Sequence, residues 1–243
     1  MRALLAVEGL TKRFGGIVAL NRCSIEVAEG SITALIGPNG SGKTTLFNLV
    51  TGYLPPDSGS IFLDGKSLRR ADPAKVARLG VLRTFQQARI FPQLTVQENL
   101  AAAVHQPWWG TMYARVRPAE RVRALELLDE FGLGRHAELP AIELSYGQQK
   151  LLEFATTLMS SPRIVLLDEP AAGINPLLVE RITGHIRDLN REGMTFLVVE
   201  HDMGFVMNLS DHVVVLDHGA KIAEGVPDVI QTDPAVLEAY LGG

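Results

Sequence analysis

The run Gly37-Pro38-Asn39-Gly40-Ser41-Gly42-Lys43-Thr44 carries the first chemistry that can be read from the chain. Glycines at these positions let backbone N–H groups turn inward around the oxygens of a phosphate chain. Lys43 follows at the spacing that reaches the β- and γ-phosphates, and the Thr44 hydroxyl is placed to hold Mg²⁺. A short apolar run, Ser31 to Ile36, precedes the loop, and a helix is expected from Thr44 to Val50. Such a helix directs its positive end at the same anion. A Gly-rich turn that binds nothing would not need a strand before it and a helix after it, so the flanking elements favour phosphate binding.

Two further motifs follow. The apolar run Ile164-Val165-Leu166-Leu167 ends in Asp168-Glu169-Pro170. A carboxylate at the end of a buried strand beside a phosphate loop can hold Mg²⁺, often through water. The next carboxylate points elsewhere and can take a proton from an attacking water. Asp168 is therefore read as the metal residue and Glu169 as the general base. Alone, so short a sequence fits a polar helix cap equally well; the phosphate loop tips the balance. Leu144-Ser145-Tyr146-Gly147-Gln148-Gln149 stands just before an expected helix, where Ser145 suits an N-cap and Gly147 allows close backbone approach to an anion. As a bare pattern this is ordinary capping, and its position ahead of Asp168 gives it weight.

The elements that must position these residues alternate. Strands are expected over Leu4 to Gly9, Ser24 to Val27 and Ser60 to Leu63, the last after the turn Pro55-Pro56-Asp57-Ser58-Gly59. From Pro73 to Phe131 the pattern reads as mainly helical, with Val122, Leu125, Leu128 and Phe131 as its apolar stripe. Gln106 to Pro118, with Trp108 and Trp109, reads as a loop. Helices are expected from Ser145 to Met159 and from Leu178 to Leu189. Thr195 to Val199 reads as a second buried strand. Val213 to Leu216 and Ala220 to Ala223 flank Asp217-His218-Gly219 as a hairpin. Buried strands alternating with helices give an α/β core, with the stretch between Phe91 and Ser145 inserted as a helical lobe.

Composition bounds the rest. The chain has 243 residues, 47% hydrophobic and 21% charged, with a net charge of −4. Those are the proportions of a folded globular chain. The acidic balance argues against a nucleic-acid binder working through a broad basic face. No apolar run approaches the roughly 18 residues of a membrane span. Glu8 interrupts the apolar start, so a secretory signal is not expected. The lone Cys23 forms no internal disulfide, in keeping with a reducing compartment.

As an ordered set, the motifs resemble those of the ATP-binding subunits of ABC transporters, and the resemblance covers essentially the whole chain. It implies a P-loop NTPase α/β core with an inserted helical lobe and an N-terminal antiparallel β portion. A single ATP-binding domain over 1–243 would divide into a core (about 1–90 and 146–243) and a helical subdomain (about 91–145). Gly37 to Thr44, with Thr45, correspond to the Walker A motif, and Ile164 to Glu169 to Walker B. Leu144-Ser145-Tyr146-Gly147-Gln148 looks like the LSGGQ signature, with Tyr146 in place of a glycine. In the family this segment, here Ser145, Gly147 and Gln148, binds the γ-phosphate of ATP held on a partner subunit. Phe14 takes the place of the aromatic residue that stacks on adenine; burial as simple core is the other reading of a Phe. Gln86, with Gln87 as its neighbour and competitor, looks like the glutamine that touches Mg²⁺ and the attacking water. His201 looks like the switch histidine that contacts the γ-phosphate, whereas His185, His212 and His218 read as surface or structural. The D-loop, Ala172-Gly173-Ile174-Asn175, ends in Asn where the family has Asp.

The resemblance further implies ATP and Mg²⁺ as cofactors and catalysis by Glu169, His201 and Gln86. It implies a head-to-tail dimer with an identical or related ATPase, on the cytoplasmic face of the cell membrane. The partners would be separate permease chains and, indirectly, a periplasmic or extracellular solute-binding protein, with no nucleic acid. A permease helix would dock beside Gln86, along Gln87 to Glu98, where Phe91-Pro92-Gln93-Leu94 is apolar; an ordinary packed loop fits that segment equally well. Within the family, Arg83-Thr84-Phe85-Gln86, Pro170 to Pro176, Glu200-His201-Asp202-Met203 and the tail Ala239-Tyr240-Leu241-Gly242-Gly243 are similar to the ATPases of branched-chain amino acid importers. Urea or amide importers, lipid or lipoprotein exporters and, in a different class, soluble ATPases acting on nucleic acid or ribosomes are the alternatives. A nucleotide switch without turnover is disfavoured by Glu169 and His201.

Overall fold

The computed structural model describes residues 2–69, 71–85, 88–104 and 118–241. The chain begins with β1 (Ala3–Phe14), β2 (Ile17–Ala28), β3 (Ile32–Ile36), α1 (Lys43–Val50), β4 (Ser58–Leu63) and β5 (Lys66–Ser67). It continues through α2 (Pro73–Arg78), β6 (Val81–Arg83), α3 (Val96–Ala102), α4 (Pro118–Glu130), α5 (Tyr146–Leu158), β7 (Ile164–Asp168) and α6 (Pro176–Arg191). It closes with β8 (Thr195–Val199), α7 (Met203–Leu209), β9 (His212–Asp217), β10 (Ala220–Gly225), α8 (Pro227–Gln231) and α9 (Pro234–Leu241).

Two sheets organise these elements. An antiparallel sheet runs β2-β1-β4-β5, and a larger sheet runs β10-β9-β3-β8-β7-β6. The larger sheet is parallel from β9 to β6, and β10 joins it antiparallel to β9. Every residue of β3, β7 and β8 is buried. That is why these segments read as continuous apolar runs, the pattern of strands covered on both faces. One face packs on the antiparallel sheet through Leu5, Leu10, Leu35, Phe47, Leu166 and Leu197. The other packs on helices: Phe196 of β8 meets Phe154 of α5 with ring centroids 6.4 Å apart, and Phe154 meets Phe131 at 5.3 Å. Strand β3 lies between β9 and β8, where strand order reverses. Its carboxyl end is the kind of crevice in which open α/β sheets bind ligands.

Three expectations fail here. The stretch from Pro73 to Phe131 is not mainly helical: β6 interrupts it and pairs Val81, Leu82 and Arg83 with Ile164, Val165 and Leu166. Three residues leave no periodicity to detect. Helix α4 buries Ala124, Leu127 and Leu128, with Phe131 just beyond it, whereas Val122 and Leu125 are exposed. A strict three-residue repeat drifts around a 3.6-residue helix, and the i, i+3, i+4, i+7 set keeps to one face. Pro118 opens α4 instead of closing a loop, because its fixed φ and missing N–H suit a first helical position. Residues 106–117 of that expected loop lie outside the described residues.

Candidate functional site

The glycines of the phosphate loop take conformations that a side chain would resist. Gly37, Gly40 and Gly42 have φ of 147°, 81° and 105°. A Cβ on Gly42 would stand 2.6 Å from the Ala19 carbonyl oxygen, and one on Gly37 would collide with the Leu216 carbonyl. The loop is thus wedged between β2 and the β9–β10 hairpin. Gly219 N–H donates to Ser41 O at 3.0 Å, and Asn21 N–H donates to Gly219 O at 2.8 Å. Lys43 opens α1 and folds back over the loop. Its Nζ donates to Gly37 O at 2.8 Å, Pro38 O at 2.9 Å and Ser41 Oγ at 3.4 Å. Burial lowers its pKa from the usual lysine value, while the charges of Glu169 and Asp168 pull the other way. Thr44 is exposed and Thr45 half-buried.

The parallel register carries Asp168 to the end of β7, beside Val199 of β8. Arg83 Nη2 donates to Asp168 Oδ2 at 2.6 Å, and Arg83 Nη1 donates to Asn48 Oδ1 on α1 at 2.6 Å. Its guanidinium lies over the rings of Phe47 and Phe85, at 5.3 and 5.1 Å. Glu169 turns sharply, at φ 50°. Both its backbone polar groups are held: its N–H donates to Val199 O at 2.9 Å, and its carbonyl accepts from Lys150 Nζ at 3.1 Å. His201 Nδ1 is 3.9 Å from Glu169 Oε1 and 3.8 Å from Glu200 Oε2. Glu200 is fully buried and joins the two loops, accepting from Ala171 N–H at 2.8 Å and His201 N–H at 3.1 Å. Glu169 and His201 line a cleft of about 440 Å³ together with Gly37, Pro38, Asn39 and Tyr240.

The structure brings Lys43, Asp168, Glu169 and His201 together. It does not bring Ser145, Gly147 and Gln148 to them: these line a separate cleft of about 430 Å³ with Gly173, Asn175 and Leu178. Ser145 caps α5 in a reciprocal box, accepting from Gln148 N–H at 3.4 Å while its own N–H donates to Gln148 Oε1 at 2.9 Å. A Cβ on Gly147 would collide with Leu178 of α6. Asn175 caps α6 by accepting from Leu178 N–H at 2.9 Å, which gives the amide a role within its own chain. Phe14 is not core: it is 45% exposed at the end of β1, with Lys12 Nζ 5.6 Å from its ring centroid. His185 stacks on Phe131 at 4.3 Å, a structural use, and His218 is exposed. Gln86 and Gln87 lie outside the described residues.

This is a phosphate loop, a strand-end acid pair and a capped helix with its own cleft, in one ordered frame. A family model for ABC transporters matches residues 20–172. The chain belongs to the ABC transporter family.

A second model, for branched-chain amino acid ATP-binding cassette transporters, matches residues 220–243. The high-affinity branched-chain amino acid transport ATP-binding protein BraF of Pseudomonas aeruginosa is 43% identical over 99% of this chain and 98% of its own. The corresponding LivG protein of Escherichia coli is 41% identical over 98% of each. Among solved structures, the ADP conformation of an ATP-binding cassette from an ABC transporter superposes with a TM-score of 0.89 at 36% identity, covering 100% of both chains. A dimeric, post-hydrolysis cassette bound to ADP and phosphate gives 0.79 at 27% identity, over 92% of this chain and 98% of that one. The protein is an ATP-hydrolysing cassette of a transporter.

In this cassette the oxygen donors fit Mg²⁺: a carboxylate at Asp168 and a hydroxyl at Thr44, with no cluster of three or more His, Cys, Asp or Glu that could hold a metal among the described residues. Magnesium is commonly held by few protein groups together with substrate phosphates and water. The sequence reading assigned no role to Arg83 or Glu200. Arg83 sat in a quoted motif, but a lone arginine before a polar segment carries no spacing signal. The buried Glu153 of α5 was missed for the same reason; its Oε1 accepts from Phe85 N–H at 3.1 Å and Arg89 N–H at 3.2 Å.

Burial pushes the pKa of Glu153 from 4.5 to about 7. The folded chain then binds this proton more tightly than the unfolded one. The group's contribution is therefore complete below the unfolded value and is lost as pH rises through about 7. The loss is at most about 3 kcal/mol, because each tenfold gain in proton affinity is worth about 1.4 kcal/mol. Denaturant unfolding at pH 5 and pH 8 should show wild type losing stability relative to Glu153→Gln across that interval. Parallel profiles for the two proteins would exclude this titration.

Proposed function

We propose that the chain energises a multi-subunit importer of branched-chain amino acids. It would work from the cytoplasmic face as a head-to-tail pair with a second cassette, beneath separate permease chains. The near-full-length identity to BraF and LivG supports this most strongly, and the matched C-terminal segment fits the same branch. No helix among the described residues is long and apolar enough to cross a membrane, so permeation is assigned to other chains. In this reading residues 91–145 form the helical subdomain and the remainder the core.

Lys43 and the loop N–H groups bind the β- and γ-phosphates, and Phe14 offers its exposed ring to adenine. Thr44, Asp168 and Gln86 would hold Mg²⁺, which neutralises charge on the transferring phosphate. Glu169 takes the proton of the attacking water, and His201 orients the γ-phosphate end of the cleft. Ser145, Gly147 and Gln148 cover the ATP of the partner, since their cleft lies apart from this chain's own loop. ATP therefore favours closure because it touches both subunits only in the closed pair. The segment Phe91 to Leu94 faces the permease: Phe91 is exposed, while buried Asn99 holds the backbone by accepting from Phe91 N–H and donating to Phe91 O.

Uptake of labelled leucine by vesicles carrying the permeases encoded beside this chain tests the reading. Uptake should require this chain and ATP; preference for urea would move the assignment to the amide branch. The composite site has a cleaner probe than Gly147, where any side chain disturbs the contact with Leu178. Ser145→Asp keeps an N-cap acceptor, so the fold should persist. It also sets a carboxylate against the partner's γ-phosphate, and like charges repel. ATP affinity of the monomer should be unchanged, while ATP-dependent dimerisation, measured in a Glu169→Gln background, should be lost. Intact dimerisation would remove the segment from the nucleotide interface.

A further inference from the structure

Helix α5 starts at the signature serine and reaches two other parts of the molecule with consecutive buried charges. Lys150 and Glu153, one turn apart, are 5% and 6% exposed. Lys150 Nζ donates to the carbonyl of Glu169 at 3.1 Å, and its ammonium lies 5.7 Å from the Tyr146 ring. A single oxygen of Glu153 accepts from the N–H groups of Phe85 and Arg89, the residues on either side of the segment that contains Gln86. Arg89 in turn stacks its guanidinium 3.5 Å above the Phe85 ring. A buried carboxylate with two backbone donors is a specific arrangement. Without it, both N–H groups would lose their partner in a site largely closed to water.

We propose that Glu153 is a positioning residue: it ties the backbone flanking Gln86 to the signature helix, so that the partner's ATP, felt at Ser145, sets where this chain holds its own Gln86. The proposal rests on the reading of Gln86 as a catalytic residue. Lys150 strengthens the tie, because the same helix is fixed to the backbone of Glu169 and cannot shift without moving both catalytic loops. The connection is short and made of packed, hydrogen-bonded groups, which is what coupling between two sites needs. Ser145 at the helix start and Glu153 at its third turn belong to one rigid element. Nucleotide binding at Lys43 does not pass through Glu153, so the two properties separate.

The test uses the full-length chain, with its partner cassette present for turnover. Glu153→Met keeps the volume and removes both acceptors; Glu153→Gln keeps an oxygen that can accept both bonds. Amide exchange at Phe85 and Arg89 should speed up by about tenfold or more in Glu153→Met, the scale of losing one buried, charge-assisted hydrogen bond. Turnover should fall by about tenfold, a modest share of what acid–base and positioning groups contribute. ATP affinity should stay at the wild-type value, and Glu153→Gln should restore both exchange protection and turnover. Normal turnover in Glu153→Met overturns the proposal, as does loss of ATP affinity in step with turnover, or failure of Glu153→Gln to rescue. Gln86→Ala separates the two readings. If it turns over normally, the Gln86 assignment fails and takes the proposal with it. A slow Gln86→Ala beside a normal Glu153→Met defeats the Glu153 proposal alone.

Discussion

Glu169→Gln is expected to keep ATP affinity and to slow turnover by about 10²-fold or more, the scale of losing a general base. The backbone at Glu169 is held independently of its side chain. Its N–H is bonded to Val199 O and its carbonyl to Lys150 Nζ, at a φ of 50°. An isosteric amide therefore leaves the turn in place and removes only the ability to take a proton. The carboxylate lines the same cleft as Gly37 and His201, so its loss acts where the γ-phosphate end of the nucleotide would lie. With hydrolysis stalled, the ATP-bound pair should accumulate, visible as an ATP-dependent dimer by size-exclusion chromatography. Steady-state phosphate release near the wild-type rate would take the base role away from Glu169. Gln86 and His201 would then have to orient the water without it.

Much of this site was legible because its parts are local. The phosphate loop, the Asp168-Glu169 pair and the Ser145 cap each lie within a few consecutive residues, and each follows or precedes an element of fixed period. Strands β7 and β8 were readable to within a residue because both faces are covered, leaving unbroken apolar runs. What was missed depends on partners distant in sequence. Arg83 matters because β6 pairs with β7 and so delivers the guanidinium to Asp168 and Asn48. Glu153 and Glu200 matter because they are buried against backbone N–H groups of other loops. A single carboxylate in a helix or after a strand looks solvated until the neighbouring loop is known. The face of α4 was misread for a related reason. Val122 and Leu125 are as apolar as the buried positions, and only packing against α3 and α5 selects Ala124, Leu127 and Leu128.

Lys43→Ala should weaken ATP binding by about 10²-fold or more, since hydrogen bonds to charged groups are worth roughly 1.5–3 kcal/mol each and Lys43 would reach two phosphates. The structure adds a second reason. The ammonium is held by Gly37 O, Pro38 O and Ser41 Oγ, at 2.8, 2.9 and 3.4 Å. The lysine thus keeps the loop wrapped through its carbonyls and leaves the N–H groups to the phosphates. Burial already disfavours its charge, and the carboxylates of Asp168 and Glu169 oppose that loss. A phosphate chain brings a stronger counter-charge to the same point, so binding should be accompanied by a shift of the ammonium from carbonyl to phosphate oxygens. Lys43→Arg distinguishes the charge from the fit. It keeps the cation, but its planar fork does not match a cradle built around a compact ammonium, and it should also bind poorly. Calorimetric titration with ATP and Mg²⁺ measures both variants, and unfolding curves confirm that the loop change has not cost the fold. Near-normal ATP affinity in Lys43→Ala would remove this loop from the nucleotide site. The wedge of Gly37, Gly40 and Gly42 between β2 and the β9–β10 hairpin would then need a purely structural explanation.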